Sequence, residues 1–369
     1  MLSDLLNRVE SQLSSELPFV IYRKPNANKI NTILQKDNQL YHTQSFTESG
    51  FVFAPFDVAS PAVLLQPDVQ IEVDFTDTKR ENFNLYKNDI ENQGQKEFHL
   101  NLVEKGIQQI EKGIFEKVVL SRKLEVGCDE SPLKLFHKLI SNYKSAFCYL
   151  WYHPKVGMWL GATPEILLRI ENNRLTTMSL AGTQTYTGQD NPAWGQKELT
   201  EQLMVTEYIT KALKNEVSEI KISEVQSVRA GNLWHLRTKI TATIQNNLTK
   251  IIQLLHPTPA VCGKPMEAAK KFILAQENYN REFYTGFLGE LNLKYVIERT
   301  GNKRNQENKS YKALKTTTEL FVNLRCMQLK NNSAVIYVGG GITKDSDSVK
   351  EWHETMAKSN TMMGILTKT

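Results

Sequence analysis

Residues 146–180 read AFCYLWYHPKVGMWLGATPEILLRIENNRLTTMSL, and this stretch decides the fold class. Its first half contains two apolar runs on either side of a turn at Pro154, which is the pattern of a β-hairpin. Its second half contains two further runs, at 165–170 and 175–180, which predict another strand pair. Because strands that follow one another as hairpins form antiparallel sheets, we predict a protein built mainly on antiparallel β-structure.

On both sides of this stretch, further predicted strands alternate with runs that have helical spacing. The predicted helices cover residues 2–17, 101–112, 132–141, 197–215, 266–276 and 351–365. Neither an internal repeat nor a Gly/Ser-rich or Pro-rich linker divides the chain. We therefore predict a single α+β domain over residues 1–369.

The composition is that of an ordinary globular protein and excludes several classes. Hydrophobic residues make up 40% of the 369 residues and charged residues 23%, which argues against a disordered chain. The net charge of +5 is small, and without a concentrated basic face we expect no nucleic-acid partner. No apolar run approaches the about 18 residues of a membrane span, so no membrane partner is expected. Four scattered cysteines fit a reducing compartment, and we expect a cytoplasmic protein.

Two pairs of glutamates lie on predicted helices and are candidates for metal binding. Glu198 and Glu201 are three positions apart, as are Glu351 and Glu354, and this spacing puts each pair on one helix face. Four carboxylates brought together would need a cation, and Mg²⁺ prefers oxygen ligands of this kind. The same spacing is frequent on solvated helix faces, so by itself it leaves both interpretations open.

Lys117 is a candidate base because it interrupts the apolar strand FEKVVLSR. Alternation places it on one face with Val119, and burial there would lower the pKa of a lysine. An edge-strand lysine that keeps its ammonium group in water gives the same pattern, and it is the simpler interpretation of the strand alone.

The other candidates lie in short loops and at strand ends. Glu165 follows the segment GATP and would serve as a general acid in a partly apolar site. Gly182–Thr183 and the glycines at 339–341 would offer backbone N–H groups to an anion, unless they are ordinary turns. Arg325 lies in a predicted strand, where burial would require an anionic partner. His256 precedes two prolines and would either contact a ligand or fix its loop.

These candidates fall within nine motifs that occur in the order of a known family. The motifs are FEKVVLSRKLEV, GATPEILL, SLAGTQ, KELTEQLMVTEYI, LHPTPAVCGKP, REFYTGFLGEL, LFVNLRC, VGGGI and EWHETMAKS. The sequence resembles the chorismate-utilising enzymes, and among them the isochorismate synthases. The motifs cover residues 110–369, which would form the chorismate-binding catalytic part, and residues 1–100 would be the variable N-terminal part.

The resemblance implies a four-layer α/β/β/α fold with two large, mainly antiparallel sheets and outer helices. It also implies a Mg²⁺-dependent isomerase that converts chorismate into isochorismate. Water attacks C2 of the ring while the C4 hydroxyl leaves. By resemblance, Lys117 is the base that activates water, and Glu165 is the acid that protonates the leaving hydroxyl.

The remaining roles also come from the resemblance. Glu201 and Glu354 would bind the metal directly. Glu198 and Glu351 would bind it mainly through water. Two cations and a backbone N–H would bind the enolpyruvyl carboxylate: Arg325, Lys358 and Gly341. The other pocket residues would be Gly182, Thr183, His256, Ala260, Val261 and Leu324. Tyr284 and Arg281 lie in a family motif without a specific assignment.

Several alternatives share parts of this pattern. Anthranilate synthases lack Lys117, and aminodeoxychorismate synthases commonly carry a nucleophilic lysine where this chain has Ala181. Salicylate synthases use nearly the same residues and then eliminate pyruvate, so they stay an alternative, as does a catalytically silent binding protein of this fold. A Mg²⁺-diphosphate enzyme would need an Asp-rich motif, which this sequence lacks.

Two departures from the family pattern concern the site, and two further expectations concern the rest of the chain. Gln202 replaces a usual histidine, and Cys262 stands where glycine or serine is commoner.

We predict that the polar stretch 299–315 is a solvated hairpin loop. We expect a monomer because no long apolar helix is left unpaired.

Overall fold

The structure is a computed structural model that describes residues 2–76, 93–230, 233–245, 247–298 and 312–366. Most of the predicted polar loop at 299–315 lies outside the described residues. Seven helices are described: α1 Leu2–Ser14, α2 Gln93–Glu111, α3 Pro132–Asn142, α4 Gln196–Leu213, α5 Leu248–Leu255, α6 Met266–Gln276 and α7 Ser348–Leu366. Among these described helices, α5 alone was not predicted, and the side chain of Asn247 caps it by accepting a hydrogen bond from the Lys250 N–H at 3.2 Å.

Nineteen strands are described. They are β1 Phe19–Arg23, β2 Lys29–Leu34, β3 Tyr41–Thr43, β4 Gly50–Ala54, β5 Ala62–Leu65, β6 Val69–Asp74, β7 Lys117–Gly127, β8 Phe147–His153, β9 Gly157–Thr163, β10 Ile166–Glu171, β11 Arg174–Thr185, β12 Val217–Ile222, β13 Gln226–Ala230, β14 Leu233–Ile244, β15 Gly263–Lys264, β16 Phe287–Glu298, β17 Lys312–Val322, β18 Cys326–Lys330 and β19 Ser333–Ile342.

These strands form two large sheets. The first has nine strands in the order β15-β7-β19-β18-β9-β8-β1-β2-β6. The second has ten, of which nine follow the order β12-β14-β11-β10-β17-β16-β4-β5-β3 and the tenth is β13. The short strand β13 pairs with β14. All pairings among the described strands are antiparallel, and both hairpins predicted within residues 146–180 are present as β8–β9 and β10–β11. The prediction of antiparallel sheets is confirmed.

The two faces of β8 show how the layers are built. Phe147, Tyr149 and Trp151 point into an aromatic core between the two sheets, whereas Cys148 and Leu150 point to the opposite face. On that opposite face, apolar residues of α1, α3 and α7 cover the first sheet. Helices α4 and α5 cover the outer face of the second sheet in the same way. The resulting order of layers is the predicted α/β/β/α.

The N-terminal part is built into both sheets. Residues 2–76 supply β1, β2 and β6 to the first sheet and β3, β4 and β5 to the second. Among the described residues, no helix is both long enough and apolar enough to cross a membrane.

Two of the connections that carry the chain from one sheet to the other contain predicted site residues. The first joins β9 to β10 and contains Glu165, and the second joins β17 to β18 and contains Arg325. Hydrogen bonds hold them together: the Val322 N–H donates to Glu165 O at 3.0 Å, and the Ala162 N–H donates to Arg325 O at 3.0 Å. The two connections therefore lie side by side.

The second connection corrects a prediction. The sequence predicts one continuous strand over 320–329, with Arg325 inside it, but the strand ends at Val322 and a new one begins at Cys326. Arg325 has a φ of 48°, which is left-handed backbone and cannot continue a strand. The apolar pattern persists because both halves are buried, each in a different sheet.

Candidate active site

A pocket lies beside the two connections, between α4 and α7. Twelve of the fifteen residues predicted for the site line it: Glu165, Gly182, Thr183, Glu198, Glu201, Ala260, Val261, Leu324, Arg325, Gly341, Glu354 and Lys358. The three predicted residues outside this lining are Lys117, His256 and Glu351, and each has a different environment.

Glu165 is buried in the pocket wall, with 4% of its surface exposed. Burial disfavours the charged carboxylate and raises the pKa of Glu165 to about 8, although the charge of Lys117 partly offsets this effect. The side chain therefore keeps its proton at neutral pH. A carboxylic acid in this state can donate a proton, as a general acid must.

Lys117 is fully buried behind the pocket wall, so the interpretation as a solvated edge lysine is wrong. The two-residue strand β15 covers β7 at this point, with Lys264 opposite Lys117. Lys117 Nζ lies 2.5 Å from Glu201 Oε1. A Cβ atom on Gly341 would lie 2.9 Å from Lys117 Cε and 2.6 Å from Glu201 Oε1, so only glycine at 341 lets the wall approach this ion pair closely.

Glu201 projects from α4 into the pocket and has the opposite electrostatic character to Glu165. Its burial alone would raise the pKa of the carboxyl, but the ammonium groups of Lys117, Lys358 and Lys197 outweigh burial and lower it. Glu201 is therefore a carboxylate at neutral pH. The other α4 carboxylate, Glu198, lines the same pocket one helical turn away.

Two carboxylates of α7 lie on the other side of the pocket. Glu354 Oε1 forms an ion pair with Lys358 Nζ at 2.6 Å, and the same ammonium group donates a hydrogen bond to Gly339 O at 2.9 Å. Glu351 is almost completely buried behind this lining, and its Oε1 accepts hydrogen bonds from Lys197 at 2.8 Å and from Ser346 at 2.7 Å. Burial, followed by the charge of Glu354, raises the pKa of Glu351.

Two observations fit a hard cation near these carboxylates. Glu351 Oε2 is buried without a hydrogen-bond partner, so it is an oxygen ligand without another use. A Cβ atom on Gly340 would lie 3.1 Å from that oxygen and 3.8 Å from Glu354 Oε1, so glycine leaves space beside both carboxylates. The oxygen donors suit Mg²⁺. Within the described residues, however, no three acidic, His or Cys side chains converge as a finished metal cluster.

The cationic end of the pocket is formed by Arg325 and Lys358. Arg325 Nη1 donates to Lys358 O and to Thr361 Oγ1, both at 3.3 Å, and burial lowers the pKa of the guanidinium. In the described part of the chain, no carboxylate forms an ion pair with Arg325. Its left-handed backbone is the kind of strained conformation that accumulates at functional sites. An anionic ligand would supply the partner that the sequence analysis required.

Gly182 and Thr183 lie in β11, at an irregularity in its pairing with β14, and line the pocket beside α4. Gly182 has a φ of +68°, which a residue with a Cβ adopts only with strain. A Cβ atom there would also lie 3.1 Å from the Cβ of Glu198, so the glycine allows close packing of β11 against α4.

His235 is a pocket residue that the sequence analysis missed. Its Nδ1 lies 3.1 Å from Gly182 O, whereas its Nε2 is buried without a partner. Burial, followed by the charges of Arg325 and Lys358, lowers the pKa of His235 to about 3, so the ring is neutral. The only sequence signal was a polar residue within the apolar strand LWHLR, and tertiary structure alone places it at the pocket.

His256 corrects another prediction, because it does not line the pocket. Its Nε2 lies 3.2 Å from Pro55 O, and its ring packs edge-on against Phe287 with 4.9 Å between the centroids. Burial lowers the pKa of His256 to about 4, so it is neutral. It fixes the loop that carries Ala260 and Val261, which was the other interpretation of this residue.

The structure accounts for Gln202, the first departure from the family pattern. Its side-chain oxygen accepts from the Ala181 N–H at 2.9 Å, and its amide nitrogen donates to Ser179 Oγ at 2.8 Å and Thr238 Oγ1 at 3.0 Å. Gln202 thus connects α4 to β11 and β14, and both its side-chain oxygen and its side-chain nitrogen are hydrogen-bonded. Cys262, the second departure, is buried in the apolar cluster between α2, α6 and β7.

Comparison with known proteins identifies a family for this chain. The model of the chorismate binding enzyme family matches residues 64–297, and a second one of the same description matches residues 311–364. Isochorismate synthase EntC of Escherichia coli strain K12 is 31% identical over 263 residues, which cover 68% of this chain and 62% of that protein. Isochorismate synthase DhbC of Bacillus subtilis strain 168 is 26% identical over 338 residues, or 84% of this chain and 78% of that protein.

A solved structure shares the fold. It is that of MenF, the menaquinone-specific isochorismate synthase from Escherichia coli, with a TM-score of 0.74 and 20% identity. The superposition covers 95% of this chain and 89% of that chain.

Proposed function

We propose that this chain, which belongs to the family of chorismate-binding enzymes, converts chorismate into isochorismate. The observation that carries the proposal is the placement of two buried groups of opposite character at one pocket. Glu165 keeps its proton at neutral pH, and Lys117 lies immediately behind Gly341 on the pocket wall. An isomerisation that takes up one hydroxyl and releases another needs both a proton acceptor and a proton donor.

In the proposed reaction, Lys117 acts as the neutral amine, so it first gives up to solvent the proton that it holds in its pair with Glu201. Water then attacks ring carbon C2 and gives up a proton to this amine. The ring double bonds shift, and the bond from C4 to its hydroxyl breaks. Glu165 gives its proton to that hydroxyl, which leaves as water. One water molecule enters and one leaves, so substrate and product are isomers.

The other pocket residues would hold the dianionic substrate. Arg325 and Lys358, with the backbone N–H near Gly341, would bind the enolpyruvyl carboxylate by charge-assisted hydrogen bonds. Ala260, Val261 and Leu324 line the pocket with apolar surface, and Gly182 and Thr183, which also line it, would flank the ring. Such positioning lowers the barrier because reacting groups are held in line before the reaction.

Mg²⁺ is part of this proposal. Glu201 and Glu354 would hold it directly, and Glu198 and Glu351 would do so mainly through water. Bound there, the ion would supply a positive charge that fixes the ring carboxylate. The carboxylates by themselves would repel an anionic substrate, so this charge is needed for binding.

The assay is incubation of the protein with chorismate and Mg²⁺, followed by chromatographic separation of the products. We expect isochorismate, and its absence would overturn the proposal. Salicylate together with pyruvate would identify a salicylate synthase instead. Binding of chorismate without any turnover would identify a silent binding protein. We propose that menaquinone or catecholate siderophore biosynthesis consumes the isochorismate. A strain that lacks this protein should grow normally when the end product of the correct pathway is added, and this result distinguishes the two pathways.

A further inference from the structure

Lys197 is a cation in the pocket lining to which the proposed function assigns no role. It lies on the first turn of α4, next to Glu198, and lines the pocket. Its Nζ is 2.8 Å from Oε1 of Glu351, which belongs to α7. Glu354 and Glu201 are also close enough to act on its charge. The ammonium group therefore faces carboxylates of both helices.

The pair that Lys197 forms with Glu351 is strongly asymmetric in burial. The side chain of Lys197 is 33% exposed, whereas that of Glu351 is 3% exposed. A buried carboxylate without a counter-charge destabilises the folded state strongly, whereas a lysine at the rim of a pocket loses little by returning to water. Glu351 is therefore strongly stabilised by Lys197, whereas Lys197 is stabilised little by Glu351.

The contacts of Glu351 also place a second cation in competition with Lys197. Lys197 and Ser346 both donate to Oε1, and the other oxygen, Oε2, is the buried atom without a partner. A divalent cation held at Oε2, directly or through a bound water, lies near the ammonium group of Lys197. Either the two like charges repel each other or Lys197 gives up its place, and both outcomes weaken binding of the cation.

We propose that Lys197 is the resident counter-cation of this carboxylate cluster and competes with the divalent cation for Glu351. The proposal rests on the magnesium site of the proposed function. Lys117 and Lys358 also pair with carboxylates of the cluster, at 2.5 and 2.6 Å, but both have proposed contacts with the reactants. Lys197 acts through Glu351 and is therefore a positioning residue that sets the affinity for the metal.

The experiment compares the wild-type protein with Lys197→Met, which keeps an unbranched side chain of nearly the same length and removes its charge. Mg²⁺ is titrated by calorimetry at low ionic strength without chorismate. We expect the variant to bind Mg²⁺ about tenfold more tightly, since one repelling charge next to the ligand is gone. Lys197→Arg should restore the wild-type affinity because it restores the charge.

Thermal unfolding gives a second measurement that does not depend on activity. In EDTA, Lys197→Met should unfold at least about 2 °C below the wild type, because Glu351 is left buried without a counter-charge. Saturating Mg²⁺ should close this gap. Lys211→Met, an exposed lysine on the same helix, is the matched control and should change neither the affinity nor the unfolding temperature.

Failure of this proposal is distinguishable from failure of the proposed function. A wild type that binds Mg²⁺, with equal or weaker binding by Lys197→Met, would overturn the competition. An unchanged unfolding temperature of the variant in EDTA would overturn the role as counter-cation. A wild type that binds no Mg²⁺, or forms no isochorismate, would instead count against the proposed function.

Discussion

Two regions of the pocket wall contain one glutamate each, Glu165 buried and Glu201 partly buried, and they give the two residues opposite properties. At the connection between β9 and β10, burial raises the pKa of Glu165 to about 8. On α4, the lysines that surround Glu201 lower its pKa in spite of burial. The comparison teaches that burial by itself does not set the charge of a carboxyl group in this pocket. Between these two glutamates the difference is a cation within hydrogen-bond distance, which Glu201 has in Lys117.

The different partners follow from the different elements. Glu201 projects from a helix towards β7, where Lys117 is held 2.5 Å from it. Glu165 lies in the connection between the sheets, and among the described ion pairs none reaches its carboxyl group. One glutamate can therefore bind cations while the other holds a proton, and the proposed reaction needs both properties.

The largest expected effect comes from removing the proton donor. Glu165→Gln keeps the shape of the side chain but cannot give up a proton, so we expect turnover to fall by about 10² to 10⁴. Steady-state formation of isochorismate measures it. Glu267→Gln, the same change at an exposed position, is the control. A loss below threefold in Glu165→Gln would remove the assigned role.

The opposite region is tested by Lys117→Ala, for which we expect a loss of turnover of similar size, about 10² to 10⁴. Saturating Mg²⁺ should not rescue it, because the missing group is the base and not a metal ligand. Lys264→Ala is a close control, since Lys264 is the residue opposite Lys117 in the sheet and pairs with Glu116 at 2.9 Å. Full activity of Lys117→Ala would contradict the assignment.

A smaller effect is expected from Glu201→Ala, and it should appear in the metal requirement. We expect the Mg²⁺ concentration for half-maximal activity to rise by about tenfold or more, because a carboxylate ligand is lost. Titration of activity with Mg²⁺ measures the change. Glu207→Ala on the exposed side of the same helix should leave the curve in place. An unaltered Mg²⁺ curve in Glu201→Ala would refute the ligand assignment.

The smallest effect concerns pH and sharpens the comparison between the two glutamates. Since the folded-state pKa of Glu165 is raised, its protonated form persists up to about pH 8 and is lost as the pH rises through that value. We expect kcat/KM to decline on the basic side, approaching tenfold per pH unit. The pH profile of kcat/KM in a non-coordinating buffer tests this. A profile flat up to pH 10 would show that Glu165 does not titrate as the donor.

Much of the fold could be predicted because it follows from local patterns. The alternation of side chains in 146–180 predicts both hairpins, and the spacing of Glu198 and Glu201 predicts their common helix face. The prediction failed at Arg325, where the end of β17 and the beginning of β18, which belong to different sheets, have the pattern of one strand. Periodicity reports burial on one face of a strand, and it carries no information on which sheet buries that face.

The sequence predicted most of the residues that line the candidate site, but it did not predict how they are arranged in space. The ordered motifs identified twelve residues that line the pocket, whereas His235 was missed and His256 was assigned to it. Both are buried neutral histidines, and a single sequence does not distinguish a histidine that faces a pocket from one that holds a loop. Lys197 was equally invisible, because its significance comes from a residue 154 positions away.

The sequence alone therefore determined the strand and helix patterns, the antiparallel class and the family, since these depend on neighbouring residues and on motif order. Tertiary structure alone decided that the connections carrying Glu165 and Arg325 lie side by side, and that Lys117 is sealed behind Gly341 against Glu201. The physical reason is that a charge is set by what surrounds it. Desolvation and ion pairing act across space between elements that are far apart along the chain.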